Sequence, residues 1–121
     1  MEIKLPYPPS LNALYRMGRS WSGKKQFYMQ KKGADYKREV WALTHHLKPF
    51  KKDIRLRVDV AIHPPNRRHS DIDNLCKVLL DSMQGNCYAS DQQIDILHLE
   101  RLSVIKPSGA IYIIITSLGQ G

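Results

Sequence analysis

The residues best suited to chemistry lie between positions 67 and 93. They read Arg67-Arg68-His69-Ser70-Asp71-Ile72-Asp73-Asn74-Leu75-Cys76-Lys77, then Asp81, then Ser90-Asp91-Gln92-Gln93. Acids gathered in a chain of net charge +8 call for a physical reason. Mg²⁺ prefers hard oxygen ligands, usually takes one or two protein carboxylates, and completes its shell with water and phosphate oxygens. Two such ions about 3.5–4 Å apart can clamp the attacking and leaving oxygens of a phosphodiester. Asp71, Asp73 and Asp91 have the donor chemistry for this, and Lys77 is a cation suited to the charge that develops on a reacting phosphate.

The same residues have a purely structural reading. Ser70-x-x-Asp73 is an acidic form of the capping box, and acids in a first helical turn complement the helix dipole. Asp73 and Lys77, four apart, could form an ordinary surface ion pair. Geometry also constrains the metal reading. Residues two apart on a helix diverge by about 200°. Asp71 and Asp73 therefore converge only if Asp71 is still extended and the helix begins at about Ile72. A chain reversal must then bring Asp91 back to them.

Several elements must position these groups. Residues 2–7 alternate as a short strand, with Ile3, Leu5 and Tyr7 on one side, and Pro6, Pro8 and Pro9 end it. Ser10-Leu11-Asn12 is a polar turn. Residues 14–32 read as a basic, glycine-bearing excursion, with short strands at 14–17 and 26–29. Here Arg16, Arg19, Lys24 and Lys25 interleave with Tyr15, Trp21, Phe27 and Tyr28. In a nucleic-acid protein that mixture offers phosphate neutralisation and stacking; in any other it is a solvated loop with aromatics turned to the core.

Residues 34–48 form a helix with Tyr36, Val40, Leu43 and Leu47 on its apolar stripe, stopped by Pro49. Its adjacent His45 and His46 diverge and are poor joint ligands. Residues 54–63 alternate without a break as a strand, and Pro64-Pro65-Asn66 delivers the chain to the acids. A second helix runs from about 72 to 84, with Leu75, Leu79 and Met83 buried and Asp73, Lys77 and Asp81 along its polar side. Gly85-Asn86 is its exit. Residues 93–105 form a strand whose apolar phase slips between Ile96 and Leu97, the sign of a bulge. A hairpin turn at Lys106–Gly109 leads to a last strand, 110–117, apolar enough to be buried on both faces. The expected fold is α+β: a single domain over 1–121, with a small mixed β-sheet and two α-helices.

Composition narrows the function classes. At 121 residues the chain is long enough for one real core. Its longest apolar run, Ile111 to Ile115, is far too short for a bilayer, and the N-terminal residues lack a signal-peptide core. Two cysteines, Cys76 and Cys87, do not make a disulfide framework. The expectation is a cytoplasmic protein with reduced thiols and no organic cofactor. A zinc site from these cysteines with His69 and His98 would have no recognised spacing. Residues 1–60 carry 14 Lys/Arg against 5 Asp/Glu, while residues 61–121 carry 5 against 6. The first half offers a basic footprint for a polyanion and the second half the acids, which favours nucleic acid over a membrane surface.

Taken together these features resemble the RusA family of Holliday junction resolvases, often carried by prophages, over nearly the whole length. Pro8-Pro9-Ser10-x-Asn12 resembles the family's N-terminal turn. Arg68-x-x-Asp71-x-Asp73-Asn74-x-x-Lys77, with Asp81 and then Asp91-x-Gln93, resembles its active-site signature. The resemblance implies that Asp71, Asp73 and Asp91 are metal-binding catalytic aspartates, that Lys77 is an active-site lysine, and that Asn74 and Asp81 support them. Ser90 departs from members that place a second acid there. The resemblance further implies a homodimer that binds four-way junction DNA and nicks two strands symmetrically with Mg²⁺ or Mn²⁺, in recombination and repair. Arg16, Arg19, Lys24, Lys25, Arg67, Arg68 and Lys77 are the expected DNA contacts. Two rival readings stay open: a less selective metal-dependent DNA nuclease, and a basic DNA-binding protein without catalysis.

Overall fold

The computed structural model describes residues 1–9, 23–68 and 71–120, without the side chains of residues 23–32. The expected polar turn at 10–12, the strand at 14–17, and the side chains of Arg16 and Arg19 lie outside the described residues, as do His69 and Ser70. The elements run β1 (Glu2–Leu5), α1 (Gly23–Thr44), β2 (Ile54–His63), α2 (Ile72–Met83), a 3₁₀ turn at Asp91–Gln93, β3 (Ile94–Arg101) and β4 (Ala110–Gln120). The four strands form one mixed sheet in the order β1-β4-β2-β3. The α+β expectation of a small mixed sheet with two helices holds.

Strand β2 is the centre. It pairs antiparallel with β4 on one side and parallel with β3 on the other. Its alternation buries Leu56, Val58, Val60 and Ile62, which meet Ile111, Ile113 and Ile115 of β4 and Ile3 and Leu5 of β1 on one face of the sheet. Leu75, Leu79 and Met83 of α2 and Tyr36 and Val40 of α1 close that core. Each such side chain is worth about 1.5–3 kcal/mol of burial.

The structure corrects several local expectations. Residues 26–29 are helical, because α1 begins at Gly23 and runs without interruption to Thr44. Lys, Gln and Met over 24–32 are straight-chain helix formers, and their propensity outweighs Gly33. The buried stripe of α1 is Tyr36, Val40 and Thr44, at a spacing of four, and Leu43 is exposed. Thr44 can be buried because its hydroxyl donates to the Val40 carbonyl oxygen at 2.7 Å.

The hairpin reading of Lys106–Gly109 also fails. A turn stands there, but β2 lies between the two strands it connects. β3 ends at Arg101, earlier than the expected 105, and its bulge is at Asp95: Leu56 pairs with Ile94 and Arg57 with Ile96. β4 is buried on one face only, leaving Tyr112 at 40% and Ile114 at 46% exposure on the other.

The connection from β3 to β4 presses on the segment that delivers the acids. Gly109, at φ +72°, lies so close to His63 and Pro65 that an added Cβ would stand 2.7 Å from the His63 carbonyl oxygen. Gly85 has a similar φ of +95° but open space around it. Gly109→Ala is therefore expected to destabilise by roughly 2 kcal/mol or more and Gly85→Ala by less. Chemical denaturation of the two variants checks the order; equal losses would show that the close approach adds nothing to the backbone strain.

Candidate active site

Helix α2 presents the first acids. Its N-cap is Asp71, in extended conformation at φ −68° and ψ 121°, and the helix starts at Ile72. This satisfies the geometric condition for Asp71 and Asp73 to share a side. The Asp71 carbonyl oxygen accepts the first helical bond from Leu75 N–H at 3.2 Å, yet its side chain makes no capping hydrogen bond. The Asn74 amide instead donates to Asp71 Oδ2 at 3.4 Å. Asp73, in the first turn, is exposed, as are Lys77 and Asp81 one and two turns on. No ion pair joins Asp73 to Lys77 among the described residues, so the plain surface-pair reading of these two loses its support.

The approach to Asp71 is basic. Arg67 and Arg68 are both exposed on the segment after β2, and the Arg68 backbone N–H donates to Asn66 Oδ1 at 2.9 Å, which shapes the turn. Lys24 and Lys25 belong to the first turn of α1. The Cys76 thiol is pushed up to about 11, by burial first and then by the Asp73 charge, and Cys87 likewise by burial. Both are thus poor thiolate nucleophiles and poor metal ligands near neutral pH.

Asp91 lies elsewhere. It opens the 3₁₀ turn just before β3, and its backbone N–H donates to Gln84 Oε1, beyond the C-terminal end of α2, at 3.4 Å. The topology dictates this. Because β2 and β3 are parallel, α2 must carry the chain from the end of one to the start of the other. Asp71 follows the end of β2 and Asp91 precedes the start of β3. The 12-residue helix between them spans about 18 Å. The chain reversal expected to bring Asp91 back to Asp71 and Asp73 returns it to the other end of the helix. Among the described residues, no three His, Cys, Asp or Glu side chains are grouped to hold a metal.

The Asp91 turn is nonetheless firmly built. Ser90 Oγ accepts from Gln92 N–H at 3.2 Å, and Gln93 Oε1 accepts from Ser90 N–H at 3.0 Å, a reciprocal capping box. Arg55 grips the same turn from β2. It donates to Asp95 through Nε and Nη2 and to the Gln92 carbonyl oxygen at 2.8 Å. The hydrogen bond from Arg55 holds the Asp95 carboxyl below its ordinary range. Sequence reasoning did not anticipate Arg55 and Asp95. Asp95 is the residue skipped at the β3 bulge, between the Leu56–Ile94 and Arg57–Ile96 pairs.

The N-terminus of α2 thus carries two exposed carboxylates beside a basic segment, and comparison with known proteins is specific. The family described as "Endodeoxyribonuclease RusA" matches residues 6–116. A crossover junction endodeoxyribonuclease rusA of Enterobacteria phage HK97 is 39% identical over 97% of this chain and 94% of its own length. Proteins named crossover junction endodeoxyribonuclease RusA from Shigella sonnei (strain Ss046) and Escherichia coli (strain K12) are 31% and 30% identical, each over 98% of this chain and 95% of their own. The chain belongs to the RusA family of endodeoxyribonucleases, enzymes that cut phosphodiester bonds.

The cap geometry generates a stability test. Because the Asp71 side chain caps nothing, Asp71→Ala is expected to change unfolding free energy by less than about 0.5 kcal/mol, whereas loss of a working N-cap typically costs about 1 kcal/mol. Denaturant unfolding in EDTA measures it. A full capping loss would assign the carboxylate to helix stability.

Proposed function

We propose that this protein is a Mg²⁺-dependent Holliday junction resolvase that acts as a homodimer, with Asp71, Asp73, Asp91 and Lys77 at its active centres. Membership of the RusA family supports the reaction class. The observation that carries the site is the N-terminus of α2, where two exposed carboxylates flank the passage from extended to helical backbone and one of them has no capping role. Two carboxylates are the usual protein share of a Mg²⁺ shell. A divalent ion held there, Mg²⁺ or Mn²⁺, would supply activation of water and neutralise charge on the phosphate. Asp71 and Asp73 would hold the ion, with Asn74 orienting Asp71, and Lys77, one turn along, would stabilise the departing oxygen as a point charge. Arg67, Arg68, Lys24 and Lys25 bind phosphates on the approach, with Arg16 and Arg19 of the basic N-terminal segment. Asp81 supports the polar face of α2.

The separation of Asp91 from the other acids favours a shared site. In a two-fold dimer with antiparallel α2 helices, Asp91 of one protomer would stand beside Asp71 and Asp73 of the other. The edge strand β3 suits such a contact. Among the described residues its outer side is unpaired in the sheet, and its Leu97 is 42% exposed. Two equivalent sites related by a two-fold axis match two symmetric nicks in a junction.

The test uses synthetic four-way junctions and linear duplexes with and without Mg²⁺. Metal-dependent paired nicking confined to junctions is expected. Equal cutting of duplex would indicate the less selective nuclease, and binding without cutting the non-catalytic protein. Asp73→Asn should abolish cutting while junction binding in EDTA persists or tightens, since it removes a negative charge facing DNA. Lys77→Ala should fold and bind nearly normally and lose about 10²–10³-fold in single-turnover cleavage. A loss within about threefold would remove its chemical role.

A further inference from the structure

We propose that Gln93 is a positioning residue that holds Asp91 in a metal-binding attitude; this rests on the reading of Asp91 as a ligand. Gln93 is a polar side chain only 2% exposed, in a core otherwise apolar apart from Thr44 and Ser82 among the described residues. A buried amide persists only when its donors and acceptor are matched, and here they are. Oε1 accepts from the backbone N–H of Ala89 at 2.9 Å and of Ser90 at 3.0 Å. Nε2 donates to the carbonyl oxygens of Lys51 at 2.7 Å and Ile54 at 3.0 Å. One side chain thus bolts the two residues before Asp91 to the two backbone groups that bracket the start of β2.

The arrangement exceeds what the turn itself requires. The capping box needs only the bond from Ser90 N–H. The bonds to Lys51 and Ile54 reach across some forty residues and fix the turn to the sheet rather than to itself. Arg55, the next residue, takes hold of the far side of the same turn through Gln92 and Asp95. Asp91 is the exposed residue between these two anchors, so its carboxylate projects from a backbone held on both sides. Groups that orient a metal ligand from behind typically contribute about 10–100-fold to metal affinity. A ligand that must meet a metal on a partner subunit gains particularly from such rigidity, because nothing within its own chain's acidic pair orients it.

The test compares Gln93→Met, which keeps length and apolar volume, with Ser90→Ala, which removes only the exposed half of the capping box, and with Asp91→Asn as the control for the parent reading. Mn²⁺ binding by the intact protein without DNA is followed by electron paramagnetic resonance, and amide hydrogen exchange is read at Ala89 and Ser90. Gln93→Met is expected to weaken Mn²⁺ binding about 10–100-fold and to speed exchange at both amides, with junction binding in EDTA unchanged. Cleavage should return at high Mg²⁺. Ser90→Ala, which leaves the core and all four Gln93 bonds intact, should shift Mn²⁺ affinity by a smaller factor. Gln93→Glu, which keeps the side-chain length and the acceptor for Ala89 and Ser90 but loses the amide donor to Lys51 and Ile54, decides the matter if Gln93→Met fails to fold. Unaltered Mn²⁺ affinity in the folded variants, alongside its loss in Asp91→Asn, would overturn the role of Gln93 alone. Unaltered affinity in Asp91→Asn itself would instead overturn the assignment of Asp91.

Discussion

The parallel pairing of β2 with β3 is the constraint on which the rest of the structure depends. Two parallel neighbours cannot be joined by a tight turn, so the chain must travel back along the sheet between them. Helix α2 makes that return and buries Leu75, Leu79 and Met83 on the sheet as it does so. The same path places Asp71 and Asp73 at one end of the helix and Asp91 at the other. β4 then lies antiparallel on the opposite side of β2, which leaves β3 as an edge among the described strands. The disposition of the acids is thus a consequence of topology, and no local adjustment of rotamers could undo it.

Much of this was legible in the sequence. The unbroken alternation over 54–63 gave the central strand to the residue, because a period of two with branched apolar residues on one side has no competing interpretation. The start of α2 at Ile72 followed from requiring Asp71 and Asp73 to face together. The strand neighbours were not legible. A turn at Lys106–Gly109 between two apolar runs looks like a hairpin whether or not a third strand lies between them, and only long-range pairing decides. The two-faced reading of β4 failed for a related reason, since an apolar residue such as Ile114 carries no local sign of whether a second layer covers it. The length of α1 was missed because aromatic and basic residues interleave equally well on a loop and on a helix.

The placement of charge fits the chemistry inferred for the family. Arg67 and Arg68 lie on the short path between β2 and Asp71, so a polyanion drawn to them is drawn to the N-terminus of α2. The acids there would repel it unless their charge were offset, as a bound divalent cation would do. Behind the other acid, Gln93 and Arg55 tie the turn to β2 and the residues before it. One end of α2 thus carries two exposed acids beside a basic segment, and the opposite end a single carboxylate on a backbone held from both sides.

A mixing experiment tests the shared site most directly. Asp71→Asn and Asp91→Asn proteins are prepared separately, each inactive on a four-way junction, and then co-refolded so that heterodimers form. If each centre draws Asp71 and Asp73 from one protomer and Asp91 from the other, every heterodimer holds one doubly substituted centre and one intact centre, and Mg²⁺-dependent nicking of a single strand returns. If all three aspartates act within one chain, both centres of the heterodimer are defective, and a mixture that stays inert would contradict the shared site.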